Sequence, residues 1–182
     1  MPSVIITGAS TGIGRGTAVH FSKHGWQVLL TGRNEKNLKA AVQECIQAGA
    51  KDSDVAFVVG DINDRTVAEQ LVKTAIDKFG RIDTLVNNAG IINAGKFEDA
   101  PIENYDKLFN TNVRSIIQLT KLAIPHIIAT KGTIVNVSSV AGLLALPMAG
   151  YYAMSKAALD QFTKILCLEL APHGVRVNSV KY

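Results

Sequence analysis

Residues 151–156 read Tyr151-Tyr152-Ala153-Met154-Ser155-Lys156. Residues four apart share a helix face, so on a helix Tyr152 pairs with Lys156 and Tyr151 with Ser155. Tyr152 is therefore the tyrosine placed to feel the ammonium. A phenol ordinarily titrates near 10, and bringing one to work near neutral pH takes about 4 kcal/mol. One positive charge about 4 Å away, at an effective dielectric of about 20, supplies energy of that order. Such a phenol can give a proton to a carbonyl oxygen or take one from an alcohol. Most Tyr-x-x-x-Lys stretches are ordinary helix surface, so the surrounding elements must decide.

A hydroxyl near the phenol is needed to hold the reacting oxygen, and Ser138-Ser139 ends a strand-like run, where a plain turn serine is the alternative. Thr7-Gly8-Ala9-Ser10-Thr11-Gly12-Ile13-Gly14 follows the first apolar run and precedes a helix. A glycine turn there lets backbone approach a pyrophosphate, and the helix start offers free N–H groups. A bare tight turn would use glycines too. After the second strand the chain reads Leu30-Thr31-Gly32-Arg33. An acid at Gly32 would favour a free ribose 2′-OH, whereas Arg33 suits a 2′-phosphate. The expected cofactor is thus NADP(H), preferred over NAD(H); a surface arginine is the alternative. Asp61 and Ile62 follow the third strand, where they could hold and pack an adenine, or Asp61 could cap the next helix. Asn87-Asn88-Ala89-Gly90 ends the fourth strand, at the carboxyl edge where such sheets bind ligands, or forms a simple turn.

These stretches need elements to hold them. Strand-like runs cover residues 3–7, 26–31, 55–59, 84–87, 133–137 and 175–180. Helical spacing covers 13–24, 35–48, 65–79, one long segment over 102–130 with a kink near Pro125, and 151–170. The strands are continuous apolar runs, as a parallel sheet covered on both faces requires. The expectation is an α/β doubly wound parallel sheet of Rossmann type, six strands ordered 3-2-1-4-5-6, in one domain over residues 1–182.

Composition agrees. Hydrophobic residues make up 47% of the 182 and charged residues 19%, a globular balance. Nineteen basic against fifteen acidic residues give a net charge of +4, but the basic residues are scattered, so no nucleic-acid partner is expected. Cys45 and Cys167 lie far apart, which suggests reduced thiols in a cytoplasmic protein without a disulfide framework or metal cluster. Val140–Gly150 is broken by Pro147 and glycine, so no membrane span is expected.

Taken in order, Thr7-Gly8-x-x-x-Gly12-x-Gly14, Asn87-Asn88-Ala89-Gly90, Ser139, Tyr152-x-x-x-Lys156 and Arg176-Val177-Asn178 resemble the short-chain dehydrogenase/reductase family, over nearly the whole chain. Thr11 sets it apart from the family's extended branch. The resemblance implies Tyr152 as general acid/base, with Lys156 binding the nicotinamide ribose and tuning the phenol. Ser139, 13 residues before the tyrosine, orients substrate. Asn112 matches the family asparagine that supports a water relay, with Asn110 the alternative. Gly8, Ser10, Thr11, Gly12, Ile13, Gly14, Arg33, Asp61, Ile62, Asn88, Ala89 and Gly90 bind the cofactor, together with Tyr152 and Lys156. The implied activity is an NADP(H)-dependent carbonyl reductase or alcohol dehydrogenase acting on a ketone, aldehyde, steroid or lipid. A non-catalytic cofactor-binding or scaffold protein is the rival. Apolar residues on several faces of the helices near 102–130 and 151–170 imply a homodimer or homotetramer. After Val180 the family continues with a Pro-Gly turn and a substrate-covering segment, whereas Lys181-Tyr182 stand here. The break falls in mid-motif, so a chain incomplete at its C-terminus is expected, with an inactive truncated form as the alternative.

Overall fold

The computed structural model describes residues 1–182. Six strands form one all-parallel sheet: β1 Ser3–Ile6, β2 Gln27–Gly32, β3 Val55–Val59, β4 Thr84–Asn87, β5 Thr133–Val137 and β6 Arg176–Val180. Their order is β3-β2-β1-β4-β5-β6. The helices are α1 Gly12–Lys23, α2 Glu35–Gln47, α3 Arg65–Phe79, α4 Ile102–Phe109, α5 Ser115–Thr130 and α6 Gly150–Leu170. Each supplies part of the crossover that parallel neighbours require.

Alternation along each strand sends side chains to two cores. Ile5, Leu29, Leu85 and Ile134 meet α3, α5 and α6 through Leu71, Leu119, Ile127 and Leu166. Val4, Ile6, Val28 and Leu30 meet α1 and α2 through Ala18, Leu38 and Ala41. Asn87 and Asn136 are register partners in the buried middle of the sheet. Asn87 Nδ2 donates to Asn136 Oδ1 at 2.9 Å and to Thr120 Oγ1 of α5 at 3.1 Å. Asn136 Nδ2 donates to Thr163 Oγ1 of α6 at 2.9 Å.

Two local expectations change. The segment 102–130 is not one helix bent at Pro125. Helix α5 runs through Pro125, whose ring lies on the exposed side, where the carbonyl freed by the missing N–H can meet water. The irregularity is a π-helical turn over Asn110–Arg114, which places one extra residue in the turn and buries Thr111 and Asn112. Asp61 does not cap α3. Asp64 does, accepting from Thr66 N at 2.8 Å, while Asp61 Oδ1 accepts from Asn63 N and shapes the preceding turn.

On α5, Leu122, Ile124 and Ile128 pack partly buried against the core. On α6, Ile165 and Leu168 remain exposed. No helix is long and apolar enough to cross a membrane.

Candidate active site

The carboxyl ends of β1, β2, β3 and β4 open onto a cleft of about 590 Å³, a volume ordinary for a small-molecule or cofactor site. Its floor is the glycine turn. Gly8 has φ +64°, and a Cβ there would stand 2.8 Å from Ala89 Cα. Gly14 comes so close to the Gly8 carbonyl and the Asn88 amide that a Cβ would lie 2.5 Å from each. Asn88 locks the turn from the other side, donating through Nδ2 to the carbonyls of Thr7 at 2.8 Å and Gly8 at 3.1 Å. The Thr7 hydroxyl accepts from the backbone N–H groups of Asn88 and Ala89. With no acid in its first turn and no side-chain cap, α1 points free N–H groups into the cleft.

Gly8, Ser10, Thr11, Gly12, Ile13, Arg33, Asp61, Ile62, Asn88, Ala89 and Gly90 all line the cleft. Gly14 lies behind it, as packing for the turn. Arg33 is exposed at one end and pairs with no carboxylate. Beside it, a Cβ at Gly32 would meet Ser10 Cβ and Oγ at 3.1 Å. The basic group sequence reasoning missed is Lys107, which lines the cleft from α4, next to Asn110 and Thr111 of the π turn. Asn63 Nδ2 bonds Thr111 Oγ1 at 3.1 Å across this wall. No spacing signals these residues, because tertiary packing alone brings α4 over the sheet edge.

Beyond Gly90 lie the groups with acid–base capacity. Tyr152 is 7% exposed and Lys156 is 3% exposed on the inner face of α6. Lys156 Nζ sits 5.7 Å from the Tyr152 ring centroid and donates to the Val137 carbonyl at 2.8 Å. Burial lowers the Lys156 ammonium from the usual 10.5 to about 8, with Asp160 pulling the other way. Tyr151 turns aside and packs edge-on against Phe97 and Tyr105. Asn112 is fully buried; its Oδ1 accepts from Ile91 N, and its Nδ2 donates to Ile91 O and Ser155 Oγ. Ser155 Oγ in turn donates to the Tyr152 carbonyl at 2.7 Å. Asn112 therefore ties the loop after β4 to the turn that carries Tyr152.

The two serines after β5 separate. Ser138 Oγ faces the Lys156 carbonyl at 3.5 Å, toward the helix backbone. Ser139 Oγ accepts from Ala141 N and donates to the Tyr182 carbonyl at 3.2 Å. Burial and the neighbouring Tyr152 phenol push the Tyr182 phenol up. Tyr182 thus lies against both Ser139 and Tyr152, and it also lines the cleft.

A family model described as short chain dehydrogenase matches residues 2–182. The chain belongs to the short-chain dehydrogenase/reductase family. A family member from Caenorhabditis elegans, solved with cofactor, superposes with a TM-score of 0.93 at 41% identity, covering 99% of this chain and 68% of that one. An actinorhodin polyketide ketoreductase solved with NADPH gives a TM-score of 0.93 at 31% identity, covering 99% and 69%. The 11-beta-hydroxysteroid dehydrogenase-like 4A protein of Arabidopsis thaliana is 41% identical, covering 96% of this chain. This short-chain dehydrogenase/reductase chain spans 58% of the length of that plant relative.

Proposed function

We propose that this chain carries the site of an NADP(H)-dependent oxidoreductase that interconverts a carbonyl and a secondary alcohol. The observation that carries the reading is the Tyr152–Lys156 pair, with its buried ammonium beside a phenol and next to Gly90, which lines the cleft floored by a glycine turn. The cleft fits a dinucleotide: a helix start with free N–H groups for a pyrophosphate, close backbone at Gly8, and an unpaired Arg33 where a 2′-phosphate would lie. Asp61 and Ile62 would flank the adenine, and Lys156 would reach the nicotinamide ribose. A nicotinamide held there would supply or accept the hydride.

Tyr152 gives its proton to the carbonyl oxygen as negative charge develops there, and takes it back in the reverse direction. The Lys156 ammonium stabilises the phenolate that remains, and low solvent access strengthens the effect. Ser139, whose hydroxyl already donates to a carbonyl oxygen at 3.2 Å, donates to the substrate oxygen in the same way. Both Asn112 amide hydrogens are committed to Ile91 and Ser155, so Asn112 fixes the approach to Lys156 through the segments it joins. Among the expected substrates, the ketoreductase and hydroxysteroid dehydrogenase names of two relatives favour a ketone or a steroid. The exposed Ile165 and Leu168 of α6 would lie in a contact between subunits.

One observation favours a second reading, a cofactor-binding protein without turnover: Tyr182 engages Ser139 and stands beside Tyr152, where a substrate carbonyl would sit. Tyr152→Phe separates the two readings. With NADPH and a panel of carbonyl compounds, the enzyme loses turnover by about a hundredfold or more while NADPH binding, read by fluorescence, is kept. A wild-type chain that binds NADPH and turns over none of the panel supports the second reading, and equal turnover in Tyr152→Phe refutes the first.

A further inference from the structure

Helix α6 holds one more buried ionisable group. Asp160 is 5% exposed, one turn beyond Lys156 and on the same face. Neither of its carboxylate oxygens has a hydrogen-bond partner. Lys181 Nζ lies 3.2 Å from Oδ1, within ion-pair range but without hydrogen-bond alignment. Gly142 backs directly onto the carboxylate, so that a Cβ there would stand 2.8 Å from Oδ2. Gly142 closes the turn that Ser139 opens, its N–H donating to the Ser139 carbonyl. One side chain therefore touches the turn carrying Ser139 and the segment carrying Tyr182, and it shares a helix face with Lys156.

A buried carboxylate without hydrogen bonds is costly, and only nearby positive charge offsets the cost. Lys181 supplies it by contact and Lys156 through space. We propose that Asp160 is a positioning residue of the site, the shared counter-charge of Lys156 and Lys181. It keeps the first an ammonium beside Tyr152 and holds the second, with Tyr182, against Ser139. This inference rests on the oxidoreductase reading given above.

The other charged groups around the cluster are few. Tyr152 stands on α6 and Tyr182 follows β6, while β5 and the Val140–Gly142 turn carry no ionisable side chain. From α4 and the π turn, Glu103, Asp106, Lys107 and Arg114 form no ion pair with Lys156 or Asp160. Arg176 of β6 bonds Thr133. His173 and Lys164 are exposed. Asp160 is thus the carboxylate that acts on Lys156, in the direction that opposes burial.

The test is a lysine NMR titration of the full chain, with the Lys156 signal identified by its loss in Lys156→Met. Asp160→Asn should lower the Lys156 midpoint by about one pH unit. Lys181→Met should raise it, because a competing cation is removed from the same carboxylate. A packing role would move both variants in the same direction or neither, and either result overturns the proposal. If Asp160→Asn does not fold, Lys181→Met decides alone: an upward move supports the proposal, and no move or a downward one refutes it. Where turnover is measurable, the alkaline limb of kcat/KM should follow the NMR midpoint in each variant. A wild type without turnover defeats the oxidoreductase reading, and the midpoints still decide the role of Asp160.

Discussion

Replacing Lys156 with methionine removes a buried charge and nearly preserves shape. Lys156 is 3% exposed, and its ammonium is lowered from 10.5 to about 8, chiefly by burial. That displacement corresponds to about 3 kcal/mol of cost for carrying the proton in the folded state. Below about pH 8 both folded and unfolded chains hold the proton, and the full cost is present. Between about 8 and 10.5 only the unfolded chain holds it, so the contribution to stability rises with pH. Methionine carries no such cost at any pH, but it leaves the Val137 carbonyl without its donor, a loss of about 1 kcal/mol. Lys156→Met should therefore be more stable than wild type by about 2 kcal/mol near neutral pH, and without turnover. The advantage should disappear, or reverse by about 1 kcal/mol, near pH 11. Paired urea denaturations at the two pH values measure this, and groups common to both proteins cancel. A stability difference that stays the same at both pH values would refute the argument, because the Lys156 ammonium would then carry no burial cost.

Two further outcomes follow from the cleft. Gly32→Asp with Arg33→Ala should move the ratio of NADPH to NADH affinity toward NADH by about tenfold or more, read by fluorescence titration. Ser10 must give by a few tenths of an ångström to admit the new Cβ, and an unchanged ratio would refute the cofactor assignment. Gly14→Ala places a methyl 2.5 Å from the Gly8 carbonyl and the Asn88 amide. It should cost about 1–3 kcal/mol in urea denaturation and weaken NADPH binding. Wild-type values for both would mean that the turn is not held as described.

Most of the frame was legible because its signals are local. Continuous apolar runs such as Val4-Ile5-Ile6 and Val55–Val59, separated by helical segments, suit buried parallel strands, and the order β3-β2-β1-β4-β5-β6 is a common doubly wound one. Legibility ends where packing decides. Asn110-Thr111-Asn112 contains no glycine or proline to announce a π turn. The interruption serves side chains that find Asn63, Ile91 and Ser155 only in the folded protein. Pro125 signals a break that its exposed position makes unnecessary. Asp61 and Asp64 are equally good caps by type, and only the backbone direction entering α3 selects Asp64. No motif marks Lys107 or Asp160, yet one lines the cleft and the other is buried beside Lys181.

The paired amides at Asn87 and Asn136 bear on how the sheet avoids misassembly. β4 and β5 are short and mostly apolar, so hydrophobicity alone would tolerate sliding one past the other. A two-residue slip would keep every apolar side chain on its proper face. It would also part the two amides and take the amide of the sliding strand from its threonine, Thr120 or Thr163, stranding polar groups in a dry interior. The ladder therefore proofreads strand alignment, and it does so at the two neighbouring strands that lead into Gly90 and Ser139.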